Sequence, residues 1–149
     1  MSYLAQHLGI KDDMFTWMRK QREYQSEFLV DQWVKHNTQR NLPYFLLGYS
    51  CKKNSSNIMG SSGLLCEDIL RVKYNQVCMR YDLLVEENVS FYPINTSYAI
   101  LLGRDHDWIS SVDFPSGSVI LDPFRFLLYR KEEFAAKNIQ YIPIGISTL

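Results

Sequence analysis

Cys66, His106 and Asp122 are the residues whose types and order could carry covalent chemistry in this chain. Cys66 follows the Gly/Ser-rich stretch Cys51–Gly63 and falls in the first turn of a helix predicted over Leu64–Tyr74. Unpaired backbone N–H groups and the helix dipole favour a thiolate at such a position, and the thiolate is the nucleophile. The same N–H groups can hold an oxyanion on an attacked carbonyl. His106 opens one predicted strand and Asp122 closes the next, with Asp113-Phe-Pro-Ser-Gly117 as the turn between them. A hairpin of that form sets its two far ends side by side. A carboxylate bonded to one imidazole nitrogen then leaves the other nitrogen for the thiol. Trp108, two residues on, would share the strand face of His106 and shield the pair from water. The flanking Asp105 and Asp107 are expected to favour an imidazolium that stabilises the Cys66 thiolate.

Gly63-Leu-Leu-Cys66-Glu-Asp, Asp105-His-Asp-Trp108 and Val119-Ile-Leu-Asp-Pro-Phe124 occur in this order. The order resembles the transglutaminase-like branch of the papain-like cysteine enzymes. Intervals of 40 residues from Cys66 to His106 and 16 from His106 to Asp122 are compact. In this they are similar to the glutamine deamidase domains of bacterial effectors and toxins. The resemblance covers about residues 60–124. It implies a catalytic Cys66–His106–Asp122 triad with Trp108 and Leu65 at the substrate. It also implies a protein substrate, no cofactor, and an effector made in a bacterial cytoplasm and delivered into another cell.

Such an enzyme would use His106 to deprotonate Cys66, attack a carboxamide carbon, and resolve the thioester with water. Water as the second nucleophile gives deamidation or proteolysis; an amine gives transglutamination. The alternative from a different class is a non-catalytic interaction protein, such as an immunity or adaptor protein or a degenerate member of the fold. A cell-wall peptide amidase ranks last. Taken singly, each residue has a plain structural role: Cys66 as a small buried hydrophobe, His106 in a turn, Asp122 ending a strand, Trp108 in the core. Cys51 and Cys78 read the same way, with Cys51 as an alternative nucleophile. His7 and His36 read as exposed.

The elements that must position these residues change period along the chain. Residues 12–36 read as a helix, begun by Asp12 and Asp13 and uninterrupted by Gly or Pro. Its basic and aromatic residues are diluted by Glu23, Glu27 and Asp31, which predicts a helix packed on the body and available for docking. Tyr44–Tyr49 is a short apolar segment. Residues 81–86, 98–102, 107–112 and 118–122 read as strands, Phe124–Ala136 as holding a short helix, and Gln140–Ile144 as an edge strand because of Pro143. Helices followed by an antiparallel meander predict an α+β chain, with N-terminal helices packed on an antiparallel sheet. A single domain spans 1–149: a helical part over about 1–50, the core over about 60–124 and an extension over 125–149.

Composition sets the outer limits. The 149 residues are 46% hydrophobic and 21% charged, a globular composition. Lys plus Arg equal Asp plus Glu at 16 each, so the basic excess of a dedicated nucleic-acid binder is missing. No apolar run approaches the roughly 18–20 residues of a membrane span, and the start shows no signal-peptide pattern. Three cysteines without Cys-x-x-Cys spacing, and three histidines, do not suggest a zinc site and fit a reducing compartment.

Overall fold

The computed structural model describes residues 14–85 and 96–144. His7, Asp12 and Asp13 lie outside that range. The described chain runs α1 (Met14–Asn37), β1 (Tyr44–Leu47), α2 (Ser62–Tyr74), β2 (Cys78–Tyr81), β3 (Ala99–Leu102), β4 (Val119–Asp122), α3 (Lys131–Ala136) and β5 (Gln140–Pro143). Short 3₁₀ turns at Asp107–Ser111 and Leu128–Arg130 precede β4 and α3. The Asn37 amide stops α1 by bonding both the N–H and the carbonyl of Leu42, each at 2.8 Å. Ser61 caps α2 by accepting from the Leu64 N–H, and Asn75 ends it in the left-handed conformation.

All five strands are parallel, in the order β2-β1-β3-β4-β5. The mixture of helices and strands is as expected, but the antiparallel sheet is not: Val119 pairs with Ala99 of β3, in the same direction. The expected strand at 107–112 is a 3₁₀ turn, held by Ile109 N–H to the His106 carbonyl and Val112 N–H to the Ile109 carbonyl. That turn drops Ile109, Val112 and Phe114 onto one face of the sheet, and the chain returns to start β4 beside β3. The linker from 103 to 118 is long enough for a parallel crossover, which needs about a dozen residues. Pro-Ser-Gly therefore turns the chain at the end of a crossover and not within a hairpin.

Burial explains the parallel choice. Tyr44–Leu47, Ala99–Leu102 and Val119–Asp122 are buried along their whole lengths. Strands covered on both faces read as continuous apolar runs, not as an alternation. Phe45, Leu47, Ile100, Leu102 and Ile120 face Phe114, Leu127 and Phe134. Tyr44, Leu46, Ala99, Leu101 and Leu121 face Val30 and Trp33 of α1 and Cys66 and Leu70 of α2. β5 is an edge strand, as Pro143 requires.

Trp33 joins α1 to the sheet. It is fully buried, donates from Nε1 to the Ala99 carbonyl at 2.9 Å, and meets Tyr44 edge-on at 5.2 Å. Trp33→Ala is expected to cost about 3–5 kcal/mol in urea unfolding. Trp33→Phe, which keeps most of the volume but loses the donor, should cost less than half of that.

Candidate functional site

The carboxyl ends of β1, β2 and β3 meet at one buried carboxylate. Asp82 follows β2 and has no exposed surface. Its Oδ2 accepts from Tyr49 N–H at 2.8 Å, Ser50 N–H at 3.1 Å and His106 Nε2 at 2.9 Å. Its Oδ1 accepts from Leu84 N–H at 3.0 Å. Burial works to raise the Asp82 pKa, but the bonds from His106, Tyr49 and Leu84 together hold it below the ordinary aspartate value of 3.8.

Ser50, His106 and Asp82 have the composition of a hydrolytic triad but not its geometry. Ser50 Oγ and Asp82 Oδ2 both lie 2.9 Å from the same ring nitrogen, Nε2. The other nitrogen, Nδ1, accepts from the Asn54 N–H at 2.8 Å, so the ring proton sits on Nε2. Ser50 Oγ lies 2.9 Å from the Lys52 carbonyl, to which it donates. No ring nitrogen is left to take the hydroxyl proton, and Ser50, His106 and Asp82 are all fully buried. The arrangement is a clamp that fixes the 50–54 loop against the strand ends.

The three residues of the expected triad occupy three separate environments. Cys66 lies on α2, in the cluster on the α1 side of the sheet, and its sulfur contacts the Ser26 carbonyl at 3.9 Å. Burial pushes its thiol up to about 12, against the bond to Ser26, which acts to lower it. His106 stacks on Trp108 with ring centres 6.1 Å apart. Trp108 in turn packs edge-on to Tyr81 in the cluster on the other side of the sheet. Asp122 is fully buried and bonds the N–H groups of Phe124, Arg125 and Leu127 and the Tyr141 hydroxyl, at 2.6–3.0 Å. It shapes the turn after β4, as a strand-ending aspartate does. Burial, then the bond to Asp122, pushes the Tyr141 hydroxyl well above its ordinary value.

Trp108 and Leu65, expected at the substrate, lie on different elements. Trp108 does shield His106, but from within the 3₁₀ turn, and Leu65 is half-buried on α2. Asp107 binds Asn54 Nδ2 at 2.9 Å and Lys53 at 3.4 Å, not the imidazole.

A cleft of about 200 Å³ opens between α1, α2 and the carboxyl ends of β3 and β4. Arg22 and Ser26 of α1, Gly63 and Cys66 of α2, Arg104 and Phe124 are among its lining residues. The sheet order reverses between β1 and β3, beside this cleft, and open parallel sheets hold their ligands outside the carboxyl ends of their strands near such a point. Gly103 makes the close packing possible, because a Cβ there would collide with the Gly48 carbonyl oxygen. Arg104 stacks over Phe124 at 5.2 Å and donates from one terminal nitrogen to the Cys51 carbonyl at 2.8 Å. Its Nε is buried and has no hydrogen-bond partner among the described residues. Arg22 donates to the Gly60 carbonyl.

No protein-family model matches the chain, and no curated protein is significantly similar to it. Among the described residues no group of three His, Cys, Asp or Glu side chains is placed to hold a metal ion. None of their helices is long and apolar enough to cross a membrane.

Sequence reasoning missed Ser50, Asp82 and Arg104. Asp82 falls inside the strand expected over 81–86, whereas the strand ends at Tyr81 and Asp82 directly follows it. Arg104 directly follows Gly103 at a strand's carboxyl end, and that pairing was legible.

His106→Ala is expected to cost about 3 kcal/mol in urea unfolding, because it removes the imidazole from a buried carboxylate. The lowered Asp82 pKa adds stability that is present above about pH 4 and is lost as pH falls through the folded value. Asp82→Asn should therefore flatten the acid limb of a pH–stability curve below about pH 4.

Proposed function

We propose that this chain is a binding domain that takes a small anionic ligand, bearing a phosphate or a carboxylate, in the cleft above β3 and β4. The buried, unpartnered Nε of Arg104 carries the reading. An N–H group hidden from water without an acceptor is costly, so the guanidinium gains by a small rotation that turns this N–H toward an anion in the cleft. A guanidinium offers donors in a planar fork that suits the paired oxygens of a carboxylate or phosphate. The start of the 13-residue α2 borders the same cleft through Ser62 and Gly63, whose N–H groups have no intrahelical acceptors, while that of Leu64 is taken by Ser61. Arg22 adds a second positive charge at the rim.

The test is thermal unfolding and calorimetry of the whole chain with inorganic phosphate, pyrophosphate, a nucleoside monophosphate and a dicarboxylate. At a hundredfold excess over Kd, a bound anion should raise Tm by about 5–10 °C. Arg104→Met keeps the contact with Phe124 and should weaken binding at least tenfold. Equal binding by Arg104→Met, or no effect of any anion on the folded protein, would reject the reading.

A thiol amidohydrolase is the second reading, favoured by one observation: Cys66 stands in the wall of this cleft. It requires His106 to leave Asp82 and Asn54. Iodoacetamide labelling read by mass spectrometry separates the two. The binding domain predicts an inert Cys66 up to about pH 9, because its thiol is pushed up to about 12. Fast labelling below pH 8 that His106→Ala slows would favour the thiol enzyme.

A further inference from the structure

Helix α1 has two apolar faces, and among the described residues only one is packed against the body. Ser26, Val30, Trp33 and Asn37 form the buried stripe against the body. At 3.6 residues per turn, Met14, Trp17, Gln21, Tyr24 and Phe28 form a second stripe on the opposite side. Their spacing alternates three and four residues, the pattern of a helix–helix seam. Met14, Trp17, Tyr24 and Phe28 are 66%, 61%, 61% and 51% exposed. Beside this seam, Tyr24, Phe28, Leu29, Pro123 and Ile144 border a groove of about 350 Å³.

We propose that this seam pairs with the same seam of a second copy, the two α1 helices running antiparallel about a two-fold axis. Self-complementarity argues for this occupant. Setting Gln21 of one copy opposite Tyr24 of the other brings Trp17 level with Phe28, beside the groove, and does so twice by symmetry. The same register places Lys20 of each copy against Glu27 of the other along one edge of the seam, giving two opposite-charge pairs. A parallel pairing would set Lys20 against Gln25 and Glu27 against Gln32, with no charge pair. The buried stripe lies opposite the seam, so the two described bodies fall on opposite sides of the helix pair. Glu27 is half exposed while holding Lys73 at 2.8 Å, which leaves an oxygen for a second cation.

Sedimentation equilibrium of the whole chain tests this, in a series reaching about 100 µM, where a dimer of micromolar affinity is well populated. The expected mass is twice the 17.5 kDa of the chain. Trp17→Glu and Phe28→Glu should each give monomer with unchanged far-UV circular dichroism. Lys20→Glu and Glu27→Lys should each be monomeric alone and should form a one-to-one dimer when mixed, since both edge pairs are then opposite in charge. Wild-type protein that stays monomeric would overturn the proposal and leave the seam to a different partner. A dimer that survives Trp17→Glu would place the interface elsewhere, and failure of the mixed variants to associate would overturn the antiparallel register.

Discussion

The arrangement around the cleft depends on one buried carboxylate. Three parallel strands end close together, and their exit loops bring backbone N–H groups that no strand neighbour satisfies. Asp82 collects those of Tyr49, Ser50 and Leu84 and also binds His106. A fully buried charge is tolerated because it is hydrogen-bonded on both oxygens. His106 extends its reach, since Nδ1 takes the Asn54 N–H and so orders the loop that leads toward α2. Asp122 repeats the device after β4, where it gathers three N–H groups and the Tyr141 hydroxyl.

These two aspartates fix the loops that border the cleft. Asp82 and His106 hold the segment after β1, which runs on to the start of α2, and Asp122 sets the path of Pro123 and Phe124. Arg104 is wedged between the two regions, bonded to the Cys51 carbonyl and stacked over Phe124. The cleft is therefore largely preformed, which lowers the ordering cost of binding. Chemically, the histidine and the aspartates act as scaffolding, and the charged groups left bordering the mostly apolar cleft are Arg22 and Arg104.

Helix α1 serves both sides of the molecule. Its C-terminal half closes the sheet through Val30 and Trp33, and its middle forms a wall of the cleft through Arg22 and Ser26. Its N-terminal half projects aromatic and methionine side chains to solvent. A helix apolar on opposite faces shows little net amphipathicity, so the loose spacing of its hydrophobic residues in the sequence concealed two ordered stripes. Lys73 and Tyr74 of α2 bind Asp31, and Lys73 also binds Glu27, which fixes the rotation of α1 and hence the direction of the outer stripe.

The sequence by itself determined the elements that local physics controls. The helix read over 12–36 without Gly or Pro, the helix read over Leu64–Tyr74, the apolar strands at 98–102 and 118–122 and the edge position imposed by Pro143 follow from propensity and backbone chemistry. It also placed Asp122 at the close of a strand, whereas the segment His106 was expected to open as a strand is a 3₁₀ turn. The tertiary structure alone decided strand direction. A four-residue apolar run fits a parallel or an antiparallel neighbour equally well, and the choice rests on whether Ile109, Val112 and Phe114 bury better under the sheet or as a strand within it. That choice moved every long-range partner. A hairpin would have set His106 beside Asp122; the parallel crossover carried His106 to Asp82 and left Asp122 with its own turn. Cys66 lies on the expected helix but past its first turn, which begins at Ser62, and it was separated from both, because a side chain's chemistry depends on neighbours that residue spacing does not specify.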